Sequence, residues 1–125
     1  LEDDALADIW AKAMFVTTTG ALGALVDEPI GYLRTAIRGQ LTAFMREVET
    51  VARALGVNLA ETVVEDTLGF VDQQYAEATS SMQRDITAGL PSELDAQVGA
   101  IRRMGKRAGV ATPLFDFAQE VLEAR

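Results

Sequence analysis

Only two of the eleven basic residues are Lys, at positions 12 and 106; the other nine are Arg. Lys can lose its proton when desolvated, whereas Arg effectively cannot. Lys12 lies in an apolar stretch with Trp10, Met14 and Phe15 around it. Two readings stand: a general acid or base whose pKa burial lowers, or a Lys snorkelling at a helix edge. The run Ser80-Ser81-Met82-Gln83-Arg84-Asp85 sets two hydroxyls at a helix start. Backbone N–H groups point outward there, which suits a ligand, but ordinary N-capping uses the same residues. In Ser92-Glu93-Leu94-Asp95, Glu93 falls in the first turn of a helix. The helix dipole favours a carboxylate at that position, which by itself is a structural explanation.

These residues need elements to position them, and the pattern is helical throughout. Asp3 or Asp4 can cap a first helix from about Ala5 to Val26, with Leu6, Ile9, Trp10, Ala13 and Met14 on one stripe. This helix is the most apolar all round and is expected at the centre. Pro29 and Gly31 mark a break. A second helix, about Thr35 to Leu55, carries Ile37, Leu41, Phe44, Met45, Val48 and Val51 on one face, and Gly56 ends it. Asn58 to Glu61 reads as a capping box opening a third helix that runs to about Tyr75. A short fourth helix starts near Ser80 or Ser81 and stops at Gly89. A fifth spans Glu93 to Ala108, closed by Gly109. Thr112 caps a sixth, with Pro113 at its first position. No strand alternation or repeat is present, so the expected fold is an all-α bundle of about six helices.

Composition narrows the chemistry. One domain is expected from 125 residues, and 49% hydrophobic content supports a real core. A net charge of −8 argues against a nucleic-acid surface. With no His and no Cys, zinc fingers, thiol catalysis and Ser-His-Asp triads are excluded within this chain. The absence of Cys suits a reducing cytoplasm. The most apolar stretch, Ala13 to Val26, reads as too short for a membrane span, and no signal peptide opens the chain. The start in helix-forming sequence without Met suggests a fragment. Gly20-Ala21-Leu22-Gly23 lacks the third Gly, the preceding strand and the later acidic residue of a dinucleotide loop, so these glycines read as close helix packing or a bend.

Taken in order, the motifs resemble the C-terminal domain of the ketopantoate reductase family. Trp10-Ala11-Lys12 is similar to its Trp-x-Lys helix, and Ser80-Ser81-Met82-x-x-Asp85 to its Ser-Ser-Met-x-x-Asp motif. Ser92-Glu93-Leu94-Asp95 followed by Gly99 is similar to its Thr/Ser-Glu-Ile-Asp…Gly segment, and Gly109-Val110-x-Thr112-Pro113 to its closing Gly-Val-x-x-Pro. The resemblance implies an all-α domain similar to that of 6-phosphogluconate dehydrogenase, with an N-terminal Rossmann domain, absent here, that binds most of the NADPH. It implies reduction of a 2-keto acid, as ketopantoate is reduced to pantoate in pantothenate biosynthesis. Lys12 would protonate the developing alkoxide, and Ser81 and Glu93 would hold the substrate's polar groups. A homodimer is compatible with it; nucleic acid and membrane are not expected partners. Three departures stand out. Val16, Gly20 and Val98 occupy positions where the family commonly has Asn. Thr19, seven residues after Lys12, returns to nearly its face and can supply one replacement hydroxyl. The leading expectation is the substrate and catalytic domain of an NADPH-dependent 2-keto acid reductase. The alternative is a non-catalytic helical dimerisation domain that keeps the fold.

Overall fold

A computed structural model describes residues 2–125, with the side chain of Glu2 outside the description. Seven α-helices and one π-helical turn follow in order: α1 Glu2–Val26, α2 Ile30–Leu33, α3 Arg38–Ala54, α4 Val63–Asp72, α5 Ser81–Thr87, the π-turn Asp95–Gly99, α6 Ala100–Ala108 and α7 Pro113–Glu123. The all-α expectation holds among the described residues, and α1 is central, touching α2, α3, α4, α5, α7 and the π-turn.

The centre of α1 explains why. Residues 17–24 are all buried, so that segment is enclosed around its whole circumference. Three consecutive threonines sit in this dry stretch. Each returns its hydroxyl to the carbonyl four residues back: Thr17 to Ala13 at 2.7 Å, Thr18 to Met14 at 2.6 Å and Thr19 to Phe15 at 2.7 Å. The polar groups are thereby satisfied without a neighbour. Gly20 and Gly23 let α5 approach: a Cβ on Gly20 would lie 3.1 Å from Met82 Cε, and one on Gly23 would run into the Gln83 amide. The reading of these glycines as close packing is therefore borne out. The segment Asp3–Val26 has the length and composition to cross a membrane, with mean hydropathy 1.4 in its most apolar window, of which 56% is buried in the fold. The sequence reading took a shorter stretch; here the long helix is the core of the bundle.

Elsewhere the boundaries move. Leu6 and Ile9 are exposed, not buried with Trp10 and Met14, because no element among the described residues covers that part of α1. The Asn58–Glu61 capping box does not form. The third helix begins at Val63, and the carbonyls of Leu59 and Ala60 are taken by the Arg53 guanidinium at 3.0 and 2.9 Å. Arg34 does the same at the end of α4, donating to Val71 and Gln74 carbonyls at 3.0 and 2.7 Å. Arg125 does so at the end of α1, reaching Ala24 and Leu25 at 2.8 and 2.9 Å. A planar fork that reaches several carbonyls suits this capping work better than an ammonium.

Thr112 does not cap α7 either; its hydroxyl bonds Asp116. Glu47 of α3 caps it instead, accepting from the Leu114 and Phe115 N–H groups at 2.9 and 3.1 Å. Burial pushes the Glu47 carboxyl above its ordinary value, outweighing the two N–H bonds, and Asp116 adds to the rise. A folded-state value above the unfolded one means that this group's contribution to stability is fully present below the unfolded pKa. It is lost as pH rises through the folded pKa. Glu47→Ala removes both caps and costs about 1–2 kcal/mol, seen as a fall of about 3–10 °C in Tm. Glu47→Gln keeps an acceptor and cannot ionise, so its Tm should gain on wild type as pH rises from about 4 towards 7. A Tm difference between the two that ignores pH would show that this carboxyl does not titrate abnormally in the fold.

Candidate functional site

Three clefts open along α1, and Val16 lines all of them. The first, about 570 Å³, lies between α1 and α4 and is walled by Ala11, Phe15, Val63 and Phe70 with Lys12 at its side. Phe15 and Phe70 meet edge to face, ring centroids 4.9 Å apart. The second, about 330 Å³, runs from Phe15 and Thr19 to Ser80 and Ser81. The third, about 390 Å³, separates α1 from the π-turn and α6, and again includes Lys12, with Gln97, Ile101 and Met104 across from it.

Lys12 is therefore shared by two clefts, but it is exposed. The expectation that Trp10 and Phe15 bury it is corrected. Trp10 is buried at the third cleft and Phe15 half-buried at the first, while the Lys stem leaves the helix between them. All six ion pairs among the described residues use Arg. No carboxylate among those residues is within salt-bridge distance of Lys12.

Thr19 and Ser81 come together in the second cleft. Thr19 is buried and spends its proton on the Phe15 carbonyl, so it offers a ligand lone pairs, not a donor. Ser80, not Ser81, caps α5: its Oγ accepts from Gln83 N–H at 3.0 Å. Ser81 is left exposed, its hydroxyl without a hydrogen-bond partner among the described residues. The loop before these serines is held by α2, whose Ile30 and Gly31 N–H groups donate to the Ala78 and Ala76 carbonyls at 2.9 and 2.8 Å. Glu93 is exposed just before the π-turn and lines none of the three clefts. Of the three positions where the family commonly has Asn, Val16 lines the clefts, whereas Gly20 is buried under Met82 and lines none of them. Val98 is fully buried in the core and bears on packing alone.

The π-turn is fixed from behind. Asp95 accepts from Gln119 at 3.0 Å and from Arg103 at 3.2 Å, and Arg102 joins Gln119 and Asp116 at 2.6 and 2.7 Å. The Gln119 and Arg103 bonds hold the Asp95 carboxyl below its usual range. Sequence reading missed Gln97 and Phe70. A signal existed for each: a lone amide between Ala96 and Val98, and an aromatic on the polar side of α4.

A profile of the family described as "Ketopantoate reductase PanE/ApbA C terminal" matches residues 4–125. This chain belongs to that family. The chain spans about two fifths of the length of the relatives it matches. A 2-dehydropantoate 2-reductase of Pyrobaculum aerophilum is 33% identical over 118 residues, which is 93% of this chain and 42% of the relative. A dimeric ketopantoate reductase of Staphylococcus aureus superposes with TM-score 0.86 at 25% identity, covering 95% of this chain and 42% of that one. D-mandelate dehydrogenase in a ternary structure with NADH and anilino(oxo)acetate superposes with TM-score 0.80 at 27% identity, covering 93% and 39%. The family is one of 2-dehydropantoate 2-reductase-like oxidoreductases, and this chain is its C-terminal domain.

Proposed function

We propose that this chain is the substrate-side domain of a 2-keto acid reductase, with a nicotinamide nucleotide bound mainly by an N-terminal dinucleotide-binding domain. The observation that carries the reading is Lys12: an ammonium without an acidic partner among the described residues, set between two apolar-walled clefts. No cradle for the nucleotide is present among the described residues. Gly20 and Gly23 are packed under α5, and the three glycines with positive φ, Gly56, Gly89 and Gly109, lie scattered between helices. A phosphate-binding loop needs clustered backbone N–H groups after a strand. The cofactor supplies the hydride. Lys12 supplies the proton to the substrate oxygen, and Ser81 and Thr19 contact the substrate's polar groups from the second cleft; Glu93, exposed outside the three clefts, would hold a polar group of a ligand that extends past them. NADPH is the cofactor assigned; the NADH of the D-mandelate relative makes both nucleotides necessary in the test. A homodimer fits the dimeric Staphylococcus relative, and a reducing cytoplasm fits a chain without Cys.

Calorimetric titration and a reductase assay test this together. NADPH should give no binding heat with this chain alone, while the full-length protein should bind NADPH or NADH and reduce a 2-keto acid. Tight binding by the isolated chain would overturn the division of labour. A full-length protein that binds the nucleotide and reduces none of a panel of 2-keto acids would instead favour a non-catalytic dimerisation domain.

A further inference from the structure

One face of α7 has nothing packed against it among the described residues. Phe115, Ala118, Gln119 and Leu122 turn inward and are buried, where α7 meets α1, α3, α6 and the π-turn. Phe117 stands on the opposite side and is 60% exposed. At about 100° per residue, the exposed Pro113 and Ala124 share its face, and the half-buried Leu114 and Val121 border it. The outer side of a surface helix is ordinarily polar. Here it is an apolar stripe along the whole helix, with a phenyl ring near its middle.

The charges beside the stripe are sorted by sign. Glu120 and Glu123 lie towards the C-terminal end of α7, both exposed. Lys106 and Arg107, also exposed, stand in the last turn of α6. Arg102 bonds Asp116 and Gln119, and a Cβ on Gly105 would run into Thr112. So α6 lies alongside α7 and brings its last turn to the N-terminal end of that helix. None of these four charges takes part in the ion pairs among the described residues. Two acids thus flank one end of the stripe and two bases the other.

We propose that this face is the contact between two copies of the chain, with α7 packed antiparallel on its counterpart. The proposal rests on the homodimer of the reading above and gives it a surface, independently of the keto acid chemistry. A two-fold interface must be self-complementary. An axis passing beside Phe117 brings the two phenyl rings together and sets Glu120 and Glu123 of each copy by Lys106 and Arg107 of the other. Parallel pairing would instead gather all the acids at one end and all the bases at the other.

Sedimentation velocity of the full-length protein over a concentration series tests this. Wild type should dimerise. Phe117→Glu should raise the dimer Kd about 30-fold or more, the loss expected of a central aromatic anchor, with an unchanged circular dichroism spectrum. Two charge-reversed variants probe the geometry: Glu120→Lys with Glu123→Lys, and Lys106→Glu with Arg107→Glu. Each alone should be mostly monomeric. An equimolar mixture should dimerise about as well as wild type, because every charge then meets its opposite. A mixture no better than its components would rule out the antiparallel pairing. A wild-type dimer that Phe117→Glu leaves intact would put the interface elsewhere and overturn the assignment. A monomeric wild type would overturn both the face and the homodimer, and a monomer that Phe117→Glu makes less compact in small-angle scattering would give the face to the N-terminal domain. Turnover of a 2-keto acid by that monomer would leave the reductase reading intact.

Discussion

Lys12→Ala in the full-length enzyme should lower kcat by about 10²–10⁴-fold, the usual contribution of a positioned general acid. Hydride addition to a keto carbon leaves an oxyanion that must gain a proton. The chain has no His, and its carboxylates near the clefts, Asp8 and Asp66, are exposed. Lys12 lines two of the clefts with no carboxylate within salt-bridge distance among the described residues, although Asp8 and Asp66 line the first cleft with it. Its exposure adds a condition that the sequence did not suggest. Water must be excluded from the Lys by something outside this chain, so the effect belongs to the full-length protein and to its closed state. Lys12→Arg should restore little, because guanidinium keeps the charge but gives up its proton poorly. Nucleotide affinity should change far less than kcat. Stopped-flow turnover of Lys12→Ala near the wild-type value, or full recovery with Lys12→Arg, would reduce Lys12 to an electrostatic role.

Ketopantoate should be reduced less efficiently than a 2-keto acid with an unsubstituted apolar side chain, by roughly 5–150-fold in kcat/KM. The cause is Val16, common to all three clefts. A polar ligand group against it loses a bond worth about 0.5–1.5 kcal/mol, or about 1–3 kcal/mol if left buried and unpaired. Phe15, Ile30 and Leu33 extend the apolar wall in the second cleft, and Phe70 in the first. A kcat/KM for ketopantoate above that of every apolar acid would refute the prediction. Val16→Asn should narrow the gap.

Much of the fold was legible because helical periodicity records which residues face inward. In α3 every residue of the stripe from Leu41 to Val51 is buried. The same rule failed at the start of α1, where Leu6 and Ile9 share the stripe with Trp10 and Met14 but stand in solvent. Periodicity reports a face and not whether anything covers it. Lys12 was singled out by rarity; its apolar neighbours line the clefts beside it, but they leave it exposed where burial was expected. The helix caps were the least legible part. Glu47 caps α7 from 67 residues away, and Arg53 occupies the carbonyls before α4, so local capping patterns at Thr112 and Asn58 had competitors that no window of sequence contains. Gln97 stayed hidden for a related reason: a π-turn has the same composition as an α-helix.

That turn also sets a phase. Leu94, Asp95–Gly99 and α6 run on as one helical path, and the wider turn holds one residue more than α-geometry would. Each residue of an α-helix advances the angle by about 100°. Ser92 and Glu93 are thus rotated by about that much relative to Ile101 and Gly105 on the buried side of α6, compared with an unbroken helix. Removing a single residue between 95 and 99 would leave α6 in register with the core. It would swing the polar segment ahead of it to another side of the bundle, taking Glu93 with it. The turn works as a one-residue offset between the face of α6 that packs and the polar segment that carries Glu93.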